Sequence, residues 1–253
     1  MRLPLKLAEM PFGSGSVVSA VTLADFEPGG GGVWALADAG AIAAASAASP
    51  IAVMRTLRLI PAASQNTPSD PSARRALFFY DLGSPYAWLS AERIDSLFAV
   101  PPLWVPVLLG GIFKATARGS WAETEARAGG IAEVERRAAE RGLPSPVWPS
   151  PWPNNGLYAM RVAAALDSRE FALSAFRVHF TRGLALSEPE NVDLAAREVG
   201  ADPVIDKERL RANTDRALAL GVFGVPTVVV GGQAFWGDDR LEEAALRLEQ
   251  ELE

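Results

Sequence analysis

A tripeptide near the C-terminus, Val225-Pro226-Thr227, constrains this chain more than any other feature. Leu220-Gly221 before it is where a helix must stop, and the apolar run Val228, Val229, Val230 follows it. Pro226 has no N–H and cannot donate to a ladder, so it marks the point where a loop enters a buried strand. Gly231-Gly232 then reads as a tight turn joining Thr227–Val230 to Gln233–Trp236 in a hairpin. Leu241, Ala245, Leu248 and Leu252 recur at helical spacing, the apolar stripe of an amphipathic last helix. The chain therefore closes as helix, strand, strand, helix.

A matching unit lies far upstream. Ala76 to Tyr80 is a short apolar and aromatic run, the pattern of a buried strand. Asp81-Leu82-Gly83 is a turn, Ser84 is placed as a helix N-cap, and Pro85 sits at the first helical position. Tyr86, Leu89, Ile94, Leu97 and Phe98 continue at helical spacing. Leu103 to Leu109 reads as a second buried strand, and Pro106 places it at an edge or an end. Strand, helix, strand is the right-handed parallel unit. Between the two units the pattern is helical. Ala122–Arg141 is stopped by Gly142-Leu143-Pro144, and a loop rich in Trp and Pro runs from Val147 to Asn155. Helices follow over Gly156–Ala165 and Glu170–Arg182. Ser187-Glu188-Pro189-Glu190 reads as a capping box opening a helix that Gly200 closes, and a further helix leads through Asn213 to Leu220.

Composition bounds the function. The 253 residues are 49% hydrophobic and 21% charged, enough to bury a core in one or two domains. A net charge of -6 gives no electrostatic footprint for nucleic acid or an anionic membrane. With no cysteine, intrinsic disulfide exchange, disulfide staples and thiolate metal sites are excluded. With His179 as the one histidine, a zinc site or a Ser-His-Asp relay has little to work with. His179 itself reads as a structural residue of a helix. Met1 to Pro11 lacks the apolar core of a secretory signal, and Val33 to Met54 contains Asp38 and is mostly Ala, Gly and Ser, too weak for a membrane span. The expectation is a soluble cytoplasmic protein with no metal, nucleic-acid or membrane partner. Residues 1–74 are low in complexity and read as a disordered extension, with Met54 as an alternative start. Gly29 to Gly32 has no Lys-Ser/Thr after it and is not a phosphate loop.

Four ordered motifs carry a family resemblance. Phe79-Tyr80-Asp81-Leu82-Gly83-Ser84-Pro85-Tyr86-Ala87-Trp88 resembles the opening of 2-hydroxychromene-2-carboxylate isomerases and kappa-class glutathione transferases, in the DsbA-like branch of the thioredoxin superfamily that also holds protein-disulfide oxidoreductases. Pro106-Val107-Leu108-Leu109-Gly110-Gly111-Ile112-Phe113-Lys114-Ala115-Thr116 is similar to the family's second-strand motif. Gly221-Val222-Phe223-Gly224-Val225-Pro226-Thr227 and Phe235-Trp236-Gly237-Asp238-Asp239-Arg240 are similar to its C-terminal signature. The resemblance covers about Ala76 to the C-terminus. It implies an α/β thioredoxin-like (DsbA-like) fold, with its first part at 75–116, an all-helical insertion at 117–215 and its second part at 216–253. The proline would be cis and would face the first helix start.

The resemblance also implies the chemistry. Thioredoxin-like sites usually carry Cys-x-x-Cys at the first helix start; this chain must import its sulfur, as glutathione or another low-molecular-weight thiol. Ser84 would hydrogen-bond that sulfur, Val225 beside Pro226 would bind the thiol's backbone, and Asp238 and Asp239 would meet its amine. Lys114 would supply a cation for a carboxylate. Arg118 stands, after Ala117, where the isomerases commonly have asparagine, and an arginine there could also meet a carboxylate. Asn154-Asn155 fits the family's Pro-x-Asn segment. Tyr86, Trp88, Phe113, Trp152 and Asn154 would line a pocket for an aromatic or unsaturated carboxylate. The implied activity is thiol-dependent isomerisation of aromatic-degradation intermediates; glutathione transfer and a binding module without catalysis are the alternatives. Family members are often dimers, which implies a homodimer here.

Each residue also has a plainer reading. Ser84 is an N-cap, Asp238-Asp239-Arg240 is an acidic first turn, and Lys114 is a solvated loop lysine. The aromatic residues, Trp148 among them, pack one lobe on the other. Arg136-Arg137 and the neighbouring glutamates form a solvated face.

Overall fold

Four residues, Leu77–Tyr80, form the central strand β1 in the computed structural model, which describes residues 75–253. The readings for residues 1–74, including Met54 and Gly29–Gly32, lie outside the described residues. The sheet runs β2-β1-β3-β4, with β2 at Leu103–Pro106, β3 at Thr227–Val230 and β4 at Gln233–Trp236. β1 and β2 are parallel, with Phe79 opposite Val105; β3 is antiparallel to β1 and to β4. The hairpin forms as the sequence predicts, Gly231 and Gly232 both at positive φ, which two-residue turns of this hand require. β2 is shorter than predicted. It ends at Pro106 on the sheet edge, and helix α3, Leu109–Thr116, takes the rest of the run. That edge is blunted: Asn213 Nδ2 donates to the Pro106 carbonyl at 3.1 Å and Arg75 Nη2 to the Pro101 carbonyl at 2.6 Å.

The first helix, α1, is Pro85–Ala91, followed by α2 at Ile94–Leu97. A 3-10 turn at Trp121–Glu123 leads into α4, Arg127–Glu140, and α5 to α7 follow at Leu157–Leu166, Arg169–Phe180 and Pro189–Glu198. α8 spans Lys207–Ala219 and α9 Leu241–Leu252. Strand residues point alternately to two cores, which is why β1 and β3 read as unbroken apolar runs. Phe78, Tyr80, Val228 and Val230 join the larger core with α1, α5, α6 and α9. Leu77, Phe79, Val105 and Val229 join the smaller one with Ile112 of α3 and Ala217 of α8.

Two local readings differ. α7 begins after Glu188 without a side-chain cap, and the Ser187 hydroxyl turns instead to Glu188 Oε1, so no capping box forms. α8 runs through residues 215 and 216, so the expected domain boundary falls inside a helix.

Candidate functional site

The N-terminus of α1, the face of α3, the loop before β3 and the corner between β4 and α9 surround a cavity of about 1060 Å³. Ser84 starts this arrangement. Its extended backbone ends the β1 turn, its Oγ accepts from the Ala87 N–H at 3.3 Å, and Pro85 occupies the first helical position. Among the described residues the hydroxyl donates to nothing, so its hydrogen is unspent. Ser84 is 5% exposed yet lines the cavity, at the positive dipole end of α1.

Val225 and Pro226 line the same cavity, joined by a cis peptide bond. Sheet pairing begins only at Thr227, whose Oγ1 closes the loop on the Gly224 carbonyl at 2.7 Å. Among the described residues the N–H and C=O of Val225 have no hydrogen-bond partner. Its main chain is available to a ligand.

Asp81 is a site residue that reading it as part of a turn missed. Its Oδ1 accepts from the Gly83 N–H and its Oδ2 from the Leu109 N–H, both at 2.8 Å. The second bond caps α3, which has no side-chain cap of its own; Thr214 Oγ1 adds a bond from Leu108 N–H at 3.0 Å. Asp81 thus ties the start of α1 to the start of α3. Burial pushes its carboxyl up from the usual range, and these two N–H donors oppose that shift. The Asp-x-Gly spacing, an Asx turn, is the signal that could have found it.

The charged residues separate into spent and unspent groups. Asp238 lines the cavity but is 1% exposed, and its carboxylate lies between Arg137 Nη1, at 2.5 Å from Oδ1, and Arg141 Nη1 on Oδ2. The Asp238 carboxylate is thus already paired with two guanidinium groups within the fold. Neither it nor Asp239 caps α9, whose N-cap is Arg240 without a side-chain bond. Asp239 is exposed at the cavity and has no ion-pair partner among the described residues. Arg137 corrects the reading of a solvated face: only Arg136 is solvated, while Arg137 packs over the Tyr86 ring at 5.6 Å and forms part of the wall. Lys114 also corrects its plainer reading, since it lies in the last turn of helix α3 rather than in a loop. It and Arg118 reach the cavity without a carboxylate partner among the described residues.

Aromatic side chains form the opposite wall. Tyr86, Trp121 and Trp152 are in chain contact, with centroids 6.0 and 5.5 Å apart, and Trp148 backs Trp152 at 4.6 Å. Phe113 joins them at the cavity, and Asn154 contributes, its Nδ2 held by the Pro151 carbonyl at 3.1 Å. Trp88 does not. It is fully buried, stacked on Phe180 at 5.8 Å with its Nε1 donating to Glu92, so it belongs to the core. Trp121, Phe223 and Trp236 take its place among the lining residues. The ring of Trp121 lies directly on Gly130 of α4, where an added Cβ would overlap it. Gly130→Ala should thus destabilise the fold by about 1–3 kcal/mol despite the better helix former, because the ring cannot yield like a flexible chain end. Urea unfolding and tryptophan fluorescence would read it; an unchanged spectrum with raised stability would show that the ring moves freely.

Among the described residues no cluster of three or more His, Asp or Glu could hold a metal, and no helix is long and apolar enough to cross a membrane. His179 is a buried helix residue outside the cavity lining. The family model for a DSBA-like thioredoxin domain matches residues 76–249. A solved 2-hydroxychromene-2-carboxylate isomerase shares the fold with a TM-score of 0.60 and 21% identity, covering 70% of this chain and 97% of its own. A probable DsbA oxidoreductase from Streptomyces coelicolor does so with a TM-score of 0.51 and 16% identity, covering 70% and 90%. Among proteins of curated function no match is found.

Proposed function

The chain belongs to the DSBA-like thioredoxin domain family, and from that premise we propose that it is a glutathione-dependent isomerase acting on unsaturated carboxylates derived from aromatic compounds. One observation carries this reading. The family's helix start and proline loop frame one cavity, and Ser84, with its unspent hydroxyl, stands at that helix start in a chain without cysteine. The site suits a sulfur brought from outside.

When bound, the thiol would supply a nucleophilic sulfur for reversible covalent catalysis without net redox change. The protein's part is to hold that sulfur as thiolate. Ser84 Oγ donates to it, and the α1 dipole lowers the energy of the negative charge. The unpaired Val225 main chain takes the thiol's backbone in strand-like fashion. Asp239, the carboxylate of the pair left unneutralised, takes the amine. Lys114 orients a carboxylate, and Tyr86, Phe113, Trp121 and Trp152 cover an aromatic substrate.

Calorimetric titration of the full chain with reduced glutathione tests the reading; no binding at millimolar thiol would remove it and leave the binding-module alternative. In Ser84→Ala the bound thiol should titrate about one pKa unit higher, a tenfold shift of the thiolate-to-thiol ratio at a given pH. An unchanged ultraviolet thiolate band would remove the role given to Ser84. Incubation with a chromene carboxylate then separates the two enzyme readings, since a stable thioether product favours transferase.

A further inference from the structure

The cavity wall holds both signs of charge, with Glu123 and Asp239 among its carboxylates. Arg93, Arg137, Arg141, Arg177 and Arg182 each face a carboxylate within the fold. Lys114 and Arg118 line the cavity and face none among the described residues. Lys114 lies in the last turn of α3, and Arg118 follows the left-handed Ala117 that ends the helix.

Arg118 also packs on an aromatic ring. Ala117 before it adopts left-handed φ of 52°, and the Arg118 N–H donates to the Phe113 carbonyl at 2.9 Å. Its guanidinium lies over the Phe223 ring, 4.2 Å from the centroid. Phe223 in turn meets Trp236 at 4.9 Å, and Trp236 rests on Gly224, where an added Cβ would stand 2.7 Å from Nε1. A guanidinium covered on one face keeps its N–H donors along its edges. Stacking has already removed rotamer freedom that a swinging arginine would lose on binding. That flat edge fits two oxygens of a carboxylate at once.

We propose that Arg118, held flat by Phe223, is a carboxylate fork that selects ligands bearing a free carboxylate at the mouth of the cavity. This rests on the thiol reading of the site. The carboxylate belongs either to the thiol or to the electrophile, and two arms of one experiment separate them.

In the first arm the full chain is titrated calorimetrically with reduced glutathione and with its monoethyl ester at the glycine carboxylate. The wild type should bind the acid about tenfold more tightly or better, Arg118→Ala should bind the two within about twofold, and Phe223→Leu should fall between. An unchanged near-ultraviolet dichroism spectrum shows that the variants fold. In the second arm KM is compared for a chromene carboxylate and its ester. Discrimination confined to this arm, and abolished by Arg118→Ala, supports the fork with the electrophile as its source. Equal treatment of acid and ester in both arms overturns the fork, as does wild-type discrimination in Arg118→Ala. No glutathione binding by the wild type overturns the thiol reading and the fork together, a result distinct from binding without discrimination.

Discussion

Asp238→Asn should lower the unfolding free energy by about 3–5 kcal/mol, the largest single-residue loss expected at this site. Asp238 is 1% exposed and is the one carboxylate set between the Arg137 and Arg141 guanidinium groups. Its main-chain carbonyl also accepts from Arg93 Nη2 at 2.9 Å, and Arg93 pairs onward with Glu242 at 2.6 Å. Asparagine keeps the shape and removes the charge; Arg137 keeps Glu133 at 2.6 Å, while Arg141 is left in a largely buried place with an amide in place of its one carboxylate partner. The Arg141 contact is an ion pair without good hydrogen-bond alignment, since neither Nη1 nor Oδ2 has a hydrogen-bond partner. Its stability is therefore electrostatic, and a neutral isostere does not preserve it. Arg137 and Arg141 lie on α4 and at its end, while Asp238 lies between β4 and α9. The pair thus pins the helical wall of the cavity to the sheet. Adding Arg141→Leu to Asp238→Asn should recover part of the loss, because a stranded cation is removed. Urea unfolding of the full chain would measure both. A loss below about 1 kcal/mol for Asp238→Asn would mean that the cluster is solvated and that Asp238 is available to a ligand after all.

What was legible in the sequence was what local chemistry decides. Gly231-Gly232 must turn and Ser84-Pro85 must open a helix, so both elements lie where the spacing puts them. Pro106 could not continue a ladder indefinitely, yet the sequence alone did not show that the apolar run beyond it turns into α3. There the deciding groups are tertiary: Asp81 and Thr214 cap the helix from elements 28 and 106 residues away. The same limit applies to Asp238, whose partner Arg137 is 101 residues distant. An acidic pair before a helix looks like a first turn until that arginine is in place. Trp88 and Tyr86 stand two positions apart on α1, a helix buried on nearly all its faces, so periodicity does not say which ring meets the cavity. The answer depends on Phe180 behind Trp88 and on Trp121 beside Tyr86.

Stability should fall steeply as pH drops from about 6.5 toward about 4, with His179 responsible for a large share. The residue sits on α6 with Nδ1 at 2.9 Å from the Leu184 carbonyl, so Nδ1 carries the hydrogen and donates it. Nε2 is then an unprotonated nitrogen, buried and without a partner, beside the Phe180 ring at 4.6 Å. Burial dominates and pushes the imidazole down from 6.5 to about 4, while the Leu184 bond pulls weakly the other way. In the folded protein the ring stays neutral through this interval; in the unfolded chain it takes up a proton. More protons bound by the unfolded state means that stability rises with pH. The contribution is whole above about 6.5 and is lost as pH falls through the interval, to a total of about 3 kcal/mol. His179 is the chain's one histidine, so no second imidazole competes for the effect. His179→Asn places an amide N–H where Nδ1 donates and cannot titrate. It should cost stability near neutral pH through lost packing, yet flatten the dependence between about pH 6.5 and about pH 5, above the range where carboxylates dominate. Urea midpoints measured across that range decide the matter: parallel curves for wild type and variant would show that the buried ring is not the titrating group.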